Sequence, residues 1–412
     1  MASVARKNLF EDIPRFLVAQ AGIVFAVSLV TIQTGILNGF SRSTSTLIDE
    51  SQADIWVSAE EMVNLQLTLP IPAATVVQVQ EIDGVEYAEG LISRTTTWRG
   101  PDGKIAPVQI FGFDPAGRLF RAGQLTEGAI ADLQQPYHLI PDQSNLGALG
   151  IQQTGQIATI NSLPATVSGL TKGTQSIAAS SYVFTSLINA NAYLTSGFTT
   201  TSNCRLESGN LECTNAFQRS ANSNEVEAPR PLSGSDSITY VLVKTEPGAD
   251  VAVVKQRIVE RLPGMMAYTR EEMALRTRTF WVQKTGIGFV LGLGAAVGVV
   301  VGVVVVGQIL YASVADHLKE FGTLKAMGAS DWMIYRIIIE QALWMAVLGY
   351  IPSLALCLGL GWWTFATQGI AILITPTTAI AVLGITVGMC VTSALFAIQK
   401  VTYVDPAVVF KA

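Results

Sequence analysis

Three long stretches of this 412-residue chain carry no charged side chain: residues 16–41, 285–315 and 341–399. That feature constrains the fold more than any other. A helix rises about 1.5 Å per residue, so about 20 apolar residues cross a hydrocarbon core ~30 Å thick. The first run gives one span. It is too long for the core of a signal peptide and lacks a cleavage site, so it reads as a retained helix. The second exceeds what one crossing needs and predicts a tilted or extended helix. The third is too long for one crossing and predicts two, at 341–366 and 377–399, turning where Gly369 and Pro376 punctuate the run. The expected fold class is therefore a membrane α-helical protein with four transmembrane helices. Residues 42–284, of ordinary soluble composition, form one large α+β domain between helices 1 and 2. Charged residues make up only 14% of the chain, against about 25% in soluble proteins, and the deficit falls in these runs.

Charge placement orients the spans. Arg6, Lys7 and Arg15 lie in the N-terminal segment 1–15, Lys319, Lys325 and Arg336 in the loop 316–340, and Lys400 and Lys411 in the tail 400–412. Cytoplasmic loops collect Lys and Arg, so these segments are expected inside and the large domain outside. Trp281, Trp362 and Trp363 would mark the outer interface, and Tyr311 and Trp344 the inner one. Arg270, Arg276, Arg278 and Lys284 crowd the outer end of helix 2 and run against the charge rule, which long translocated domains weaken. The net charge of −5 comes with no basic cluster, which disfavours nucleic acid.

Within the outer domain, ADIWVSA and ITYVLVKT predict strands. The segments PAATVVQVQEI and DVAVVKQRIVERL predict helices, the second with Asp250 as N-cap. The two strand–helix units suggest a split subdomain, 42–119 with 236–270, around a Ser-, Thr-, Asn- and Gly-rich insert at 120–235. A stalk helix over 271–284 is expected to run directly into helix 2, with Gly286 as a place where it could bend. Cys204 and Cys213 lie in a polar stretch, where they form either a short-loop disulfide or two free thiols. A disulfide would place the domain in an oxidising compartment. Cys357 and Cys390 lie in apolar runs, as small packing residues.

Chemistry is harder to find. There is no GxxxxGK[ST] phosphate loop, no GxSxG elbow and no metal-ligand spacing; only two histidines are present, His138 and His317. A charge at the bilayer centre costs roughly 2.5–3.5 kcal/mol and is kept for function. The apolar runs hold none, which disfavours a proton-driven antiporter. Gly294, Gly298 and Gly302 recur at a four-residue spacing that lets helices approach closely, either between two copies or within one chain.

The loop at 316–340 carries the most informative pattern. Leu318, Phe321, Leu324 and Met327 give one apolar face on a short helix, with His317, Glu320 and Lys325 beside it. Such a helix either docks on a partner or rests on the lipid interface. The sequence KEFGTLKAMGAS, through Glu320, Gly322, Thr323, Leu324, Lys325, Ala326, Met327, Gly328 and Ala329, resembles the cytoplasmic signature of FtsX-like (MacB-type, type VII) ABC permeases. The closing VDPAVVFKA resembles that family's end through Asp405, Pro406 and Ala407. TLKAMG and the ADIWV strand look most like the DevC-type permease subunits of cyanobacteria.

This resemblance implies a MacB-like periplasmic domain and a non-catalytic subunit of the bacterial inner membrane, working as a homodimer. With the spacing of the loop, it gives the expected ATPase-coupling residues as His317, Leu318, Glu320, Phe321, Gly322, Leu324, Lys325, Met327, Gly328 and Ala329. ATP and Mg would be bound by a separate ABC ATPase subunit, itself a dimer. Export by mechanotransmission, with a periplasmic membrane-fusion adaptor and a TolC-like outer-membrane protein, is the implied mechanism, and lipid-like or glycolipid cargo fits the analogy. Within the same fold a non-transporting regulator of a periplasmic hydrolase, or a lipoprotein-extraction permease, is the alternative. A membrane receptor independent of ATP is a more remote one.

Overall fold

The structure, a computed structural model, describes residues 13–175, 180–196, 200–207, 210–217, 227–317, 320–323, 327, 329–368 and 372–402. The chain divides into two compact units, residues 40–281 and residues 1–39 with 282–412.

In chain order the elements begin with α1 (Ile13–Ser43), α2 (Thr46–Asp49), β1 (Ile55–Ala59), β2 (Ile71–Pro72), α3 (Thr75–Gln80), β3 (Val85–Arg99) and β4 (Ile105–Phe113). The insert contributes β5 (Gln124–Glu127), β6 (His138–Pro141), α4 (Leu146–Leu149), β7 (Ile157–Ile160), β8 (Leu163–Val167), β9 (Leu170–Lys172), β10 (Ser181–Ser186), α5 (Leu187–Thr195), β11 (Thr200–Glu207) and β12 (Asn210–Phe217). Then follow β13 (Ser237–Ile238), β14 (Tyr240–Thr245), α6 (Val251–Arg261), β15 (Met265–Thr269), α7 (Arg270–Lys284), α8 (Ile287–Asp316), α9 (Asp331–Gln368) and α10 (Pro376–Thr402).

The outer unit is built on a nine-stranded sheet of order β15-β1-β14-β3-β4-β10-β6-β8-β7. β7 also returns to the far end of β3, with Trp98 opposite Ile160, so the strands from β3 to β7 close on themselves. The sheet is buried on both faces, and strict alternation divides its side chains between two cores. Ile55, Val57, Val241, Val243, Ile110 and Val183 enter one, which Val79 of α3 and Val254 and Ile258 of α6 cover. Trp56, Tyr240, Leu242, Phe111, Tyr182 and Phe184 enter the other, which Leu47 and Ile48 of α2 and Met273 and Ala274 of α7 cover. A sheet covered on both faces needs continuous apolar strands, which is why IWVSA and YVLVKT stand out in the sequence. The insert differs from its expected separateness: β6, β7, β8 and β10 belong to the same sheet as the split subdomain, and β10 runs parallel to β4.

In the other unit, four helices among the described residues are long and apolar enough to cross a membrane: Phe16–Ser43, Ile287–Asp316, Trp332–Ala366 and Pro376–Ile398. α9 starts at Asp331, ten residues before the expected 341, because the helix continues past the apolar run through Arg336 and Glu340. The stalk does not run directly into helix 2. α7 stops at Lys284, and Gly286, with φ of 69°, separates it from α8. That left-handed backbone suits glycine and ends helical continuity.

Candidate functional site: coupling segment, glycine face and domain neck

Beyond α8 the chain folds back through a short turn of helix at 320–323. The N–H of Phe321 donates to the carbonyl of His317 at 3.0 Å, and that of Met327 to Thr323 at 3.0 Å. His317 Nδ1 stands 3.3 Å from Glu320 Oε2. Phe321 is only 3% exposed and shares a core with Val314, Ile334 and Ile338. It therefore anchors the turn on the helices instead of presenting an apolar face outward, as its three-residue spacing suggested. Gly322 is buried beside it and Ala329 is half-buried. Met327 is 72% exposed. Leu318, Leu324, Lys325 and Gly328 lie outside the described residues. Sequence reasoning missed Trp332 and Met333 in the first turn of α9; Trp332 is 71% exposed. Two large apolar residues directly after Asp331 were the available signal.

The glycine face of α8 is filled from within the chain. A Cβ on Gly294 would meet Gln33 Nε2 at 2.5 Å. One on Gly298 would meet Leu29 Cδ2 and Val30 Cγ2 at 3.2 Å. One on Gly302 would meet Met389 Sδ at 2.0 Å and Ala26 Cβ at 3.0 Å. Of the two readings left open for these glycines, the contacts are intrachain, to α1 and α10. The apolar runs are charge-free yet not without polar groups: both amide atoms of Gln20, Gln33 Oε1 and Ser28 Oγ are buried without a hydrogen-bond partner.

In the outer unit, the arginines that contradicted the charge rule turn out to be structural ties. Arg278 Nε donates to Ser45 Oγ at 2.6 Å, and its guanidinium pairs with Asp49. Arg270 Nη1 donates to the carbonyl of Ser51 at 3.2 Å, and its backbone N–H to that of Asp54. Arg276 donates to the carbonyl of Met62 at 2.9 Å and lies over the Tyr268 ring. Arg278 straps α7, where the chain leaves the domain, to α2, where it arrives, and Arg270 and Arg276 tie α7 to the segments just after α2 and β1. Asp54 sits at the same neck. Its carboxylate accepts from Lys244 Nζ at 3.0 Å and from both Thr245 N and Thr245 Oγ1. Burial alone would raise its pKa, but the Lys244 and Thr245 hydrogen bonds outweigh burial and hold it below the usual carboxylate value.

Two further features belong to this unit. A cleft of about 560 Å³ opens beside the first turn of α5, walled by Phe113, Pro115, Pro136, Leu187 and Leu232. Asn189 lines it too, but its amide is committed to Tyr137 N and to the carbonyls of Leu133 and Gln135, so the cleft presents mainly apolar surface. β11 and β12 pair antiparallel with Cys204 directly opposite Cys213; their side chains lie outside what is described.

Four membrane-length helices with an α+β domain inserted after the first define a multi-pass membrane protein with one large extracytoplasmic domain. Comparison with known proteins refines this class. The MacB-like periplasmic core domain family matches residues 16–261, and the FtsX-like permease C-terminal family matches residues 292–406. The first match alone spans more than half of the chain, and the protein belongs to the MacB/FtsX-like permease family. That family is one of ABC transporter permease subunits, generally non-catalytic, and implies an ABC ATPase partner in a transporter complex. The chain is accordingly a multi-pass inner-membrane protein whose large domain is periplasmic.

Among solved structures, the periplasmic region of MacB from Actinobacillus actinomycetemcomitans is 10% identical, with 54% of this chain and 90% of that one covered and a TM-score of 0.35. The extracellular domain of the noncanonic ABC-type transporter YknZ from Gram-positive bacteria is 11% identical, with 52% and 99% covered and a TM-score of 0.34. No curated protein matches the chain.

Proposed function

We propose that this chain is the permease subunit of an ABC exporter that works by mechanotransmission, close in type to the DevC permeases. ATP and Mg are bound by a separate ATPase dimer. A pair of permease chains turns the closure of that dimer into movement of the periplasmic domains. Cargo, lipid-like or glycolipid by analogy, is passed to a membrane-fusion adaptor and a TolC-like outer-membrane duct.

One observation carries the coupling part of this reading. After α8, Phe321 is buried against the helices, while Met327 and Trp332 stay exposed. A side chain buried among the helices, with exposed apolar side chains near it, can hand a push to those helices. Two sequence features support the division of labour: the chain has no phosphate loop, and its apolar runs hold no charge that could couple to an ion gradient.

The test is co-purification with the ATPase subunit in mild detergent. Met327→Glu and Trp332→Glu change exposed positions, so the permease should fold. Each is expected to weaken capture of the ATPase about tenfold, the equivalent of about 1.4 kcal/mol, and to abolish stimulation of ATP hydrolysis. Phe321→Ala should also uncouple, but with measurable loss of thermal stability. Unchanged capture and unchanged hydrolysis in both glutamate variants would refute the coupling role. An adaptor and an outer-membrane protein in the same purification support export; a cell-wall hydrolase in their place would replace export with the regulatory role.

A further inference from the structure

After β1 the outer domain makes a turn whose sequence, from residue 62, is MVNLQLTL. Met62 and Leu65 are buried, but Leu67 and Leu69 are 55% and 52% exposed. Single exposed leucines are ordinary. Two on a loop are less so when the loop is held as firmly as this one. Asn64 Oδ1 accepts from the N–H groups of Gln66 and Leu67 at 2.8 and 2.9 Å. The buried Tyr240 hydroxyl donates to the carbonyls of Asn64 and Leu65 at 3.1 and 3.0 Å. Leu65 N–H donates to Thr277 Oγ1 at 3.3 Å, and Gln66 Nε2 to the Tyr182 hydroxyl at 3.1 Å. The fold spends many bonds on a turn that then leaves two leucines in the open.

Covalent continuity says what covers them. Gln66 Oε1 accepts from Trp281 Nε1 at 3.3 Å. Trp281 precedes Ile287, the first residue of span α8, by six positions. Six residues reach no further than about 20 Å even when fully extended. Ser45 and Asp49, tied to Arg278 on the same α7, directly follow span α1. Both chain connections to the bilayer thus attach where this turn is pinned, and an indole is the side chain that favours the lipid–water interface.

We infer that the 67–69 turn is a lipid-contacting foot of the periplasmic domain, which seats Leu67 and Leu69 in the outer-leaflet interface of the inner membrane. The bonds to Thr277 and Trp281 make the foot part of α7. This inference rests on the membrane location of the chain and not on the export mechanism.

The full chain tests it in nanodiscs of phosphatidylethanolamine and phosphatidylglycerol. An environment-sensitive NBD label is placed at Leu69→Cys in a Cys204→Ser, Cys213→Ser background. The reference is the same label at Val77→Cys, a position 62% exposed on α3, which covers the opposite face of the sheet. Quenching by a shallow doxyl-phosphatidylcholine is compared with quenching by iodide. The doxyl-to-iodide ratio is expected to be several-fold higher at 69 than at 77, and Leu67→Asp should bring it down to the reference. Equal ratios at the two sites overturn the inference. So does a label at 69 shielded from both quenchers, since protein would then cover the leucines.

Discussion

Replacing Gly302 should weaken the helix bundle even though glycine is a poor helix former. In a helix interior Gly→Ala gains about 1 kcal/mol from backbone entropy. At Gly292 nothing lies within 4 Å of the added Cβ, so the gain stands unopposed. At Gly298 the added methyl would touch Leu29 Cδ2 and Val30 Cγ2 at 3.2 Å. The end of a leucine can shift by a few tenths of an ångström, and the change is close to neutral. At Gly302 the methyl would fall 2.0 Å from Met389 Sδ and 3.0 Å from Ala26 Cβ. Methionine can swing aside, but alanine has no rotamer to change, so α1 and α8 must part. Overpacking of this kind costs about 1–3 kcal/mol, which exceeds or cancels the propensity gain; Gly302→Leu should cost more. The assay is retention of the monodisperse full chain in mild detergent after stepwise heating, followed by size-exclusion fluorescence. Such midpoints are governed by rates, so the order is what is read: Gly292→Ala at or above wild type, Gly298→Ala near it, Gly302→Ala below and Gly302→Leu lowest. A Gly302→Ala variant as stable as Gly292→Ala would refute the reasoning. Loss of oligomer mass without loss of thermal stability in Gly302→Leu would instead show that this face packs between copies.

Two further outcomes are expected. Residues directly opposed on antiparallel strands lie about 4.5–5.5 Å apart at Cα, within the ~4.4–6.8 Å that a disulfide spans, so Cys204 and Cys213 should be bonded. Alkylation in denaturant should then label only Cys357 and Cys390 without reductant and all four cysteines with it; four adducts without reductant would mean free thiols. For Asp54, the folded pKa lies below its ordinary value, so its stabilisation is complete above the unfolded value of about 3.9 and is lost as pH falls through the folded one. Asp54→Asn should cost about 1 kcal/mol at pH 7, discounted for the partly exposed Lys244, and the gap from wild type should close as pH falls below about 4. A gap independent of pH would show that the carboxylate charge is not what stabilises the neck.

What could be read from the sequence depended on how local its cause was. Spans are local: a charge-free run reports bilayer thickness, and all four were visible. Helix ends are less so, because α9 leaves the apolar run and continues through Arg336 and Glu340 to Asp331. β1 and β14 were legible because a sheet covered on both faces demands unbroken apolar residues. The place of β6, β7 and β8 in the sheet was not, since β7 and β8 pair locally as a hairpin but join the sheet, like β6, through partners distant in sequence. Phe321 shows the limit for the coupling segment. A three-residue spacing defines a face, but it does not say whether that face looks toward the helices or away from them. Arg270, Arg276 and Arg278 show it for the neck. Their partners lie some two hundred residues earlier in the chain, so only the fold explains why positive charge gathers there.

That gathering bears on how movement could reach the outer domain. α1 is helical without interruption from Ile13 to Ser43, whereas the backbone between α7 and α8 is broken at Gly286. Under the proposed mechanism a continuous helix carries displacement along its axis, while a left-handed glycine lets the two sides pivot. Ser45 and Asp49 follow α1 directly, and Arg278 ties both to α7. The carboxylate of Asp54 ties the same neck to β14, an interior strand of the sheet. Under that mechanism the strap is where the two chain connections of the domain are tied to each other. Arg278→Lys keeps the charge but loses the planar fork that reaches Ser45 and Asp49 together. A mechanical role for the strap requires that this conservative change uncouple ATP hydrolysis from transport while leaving assembly of the complex intact.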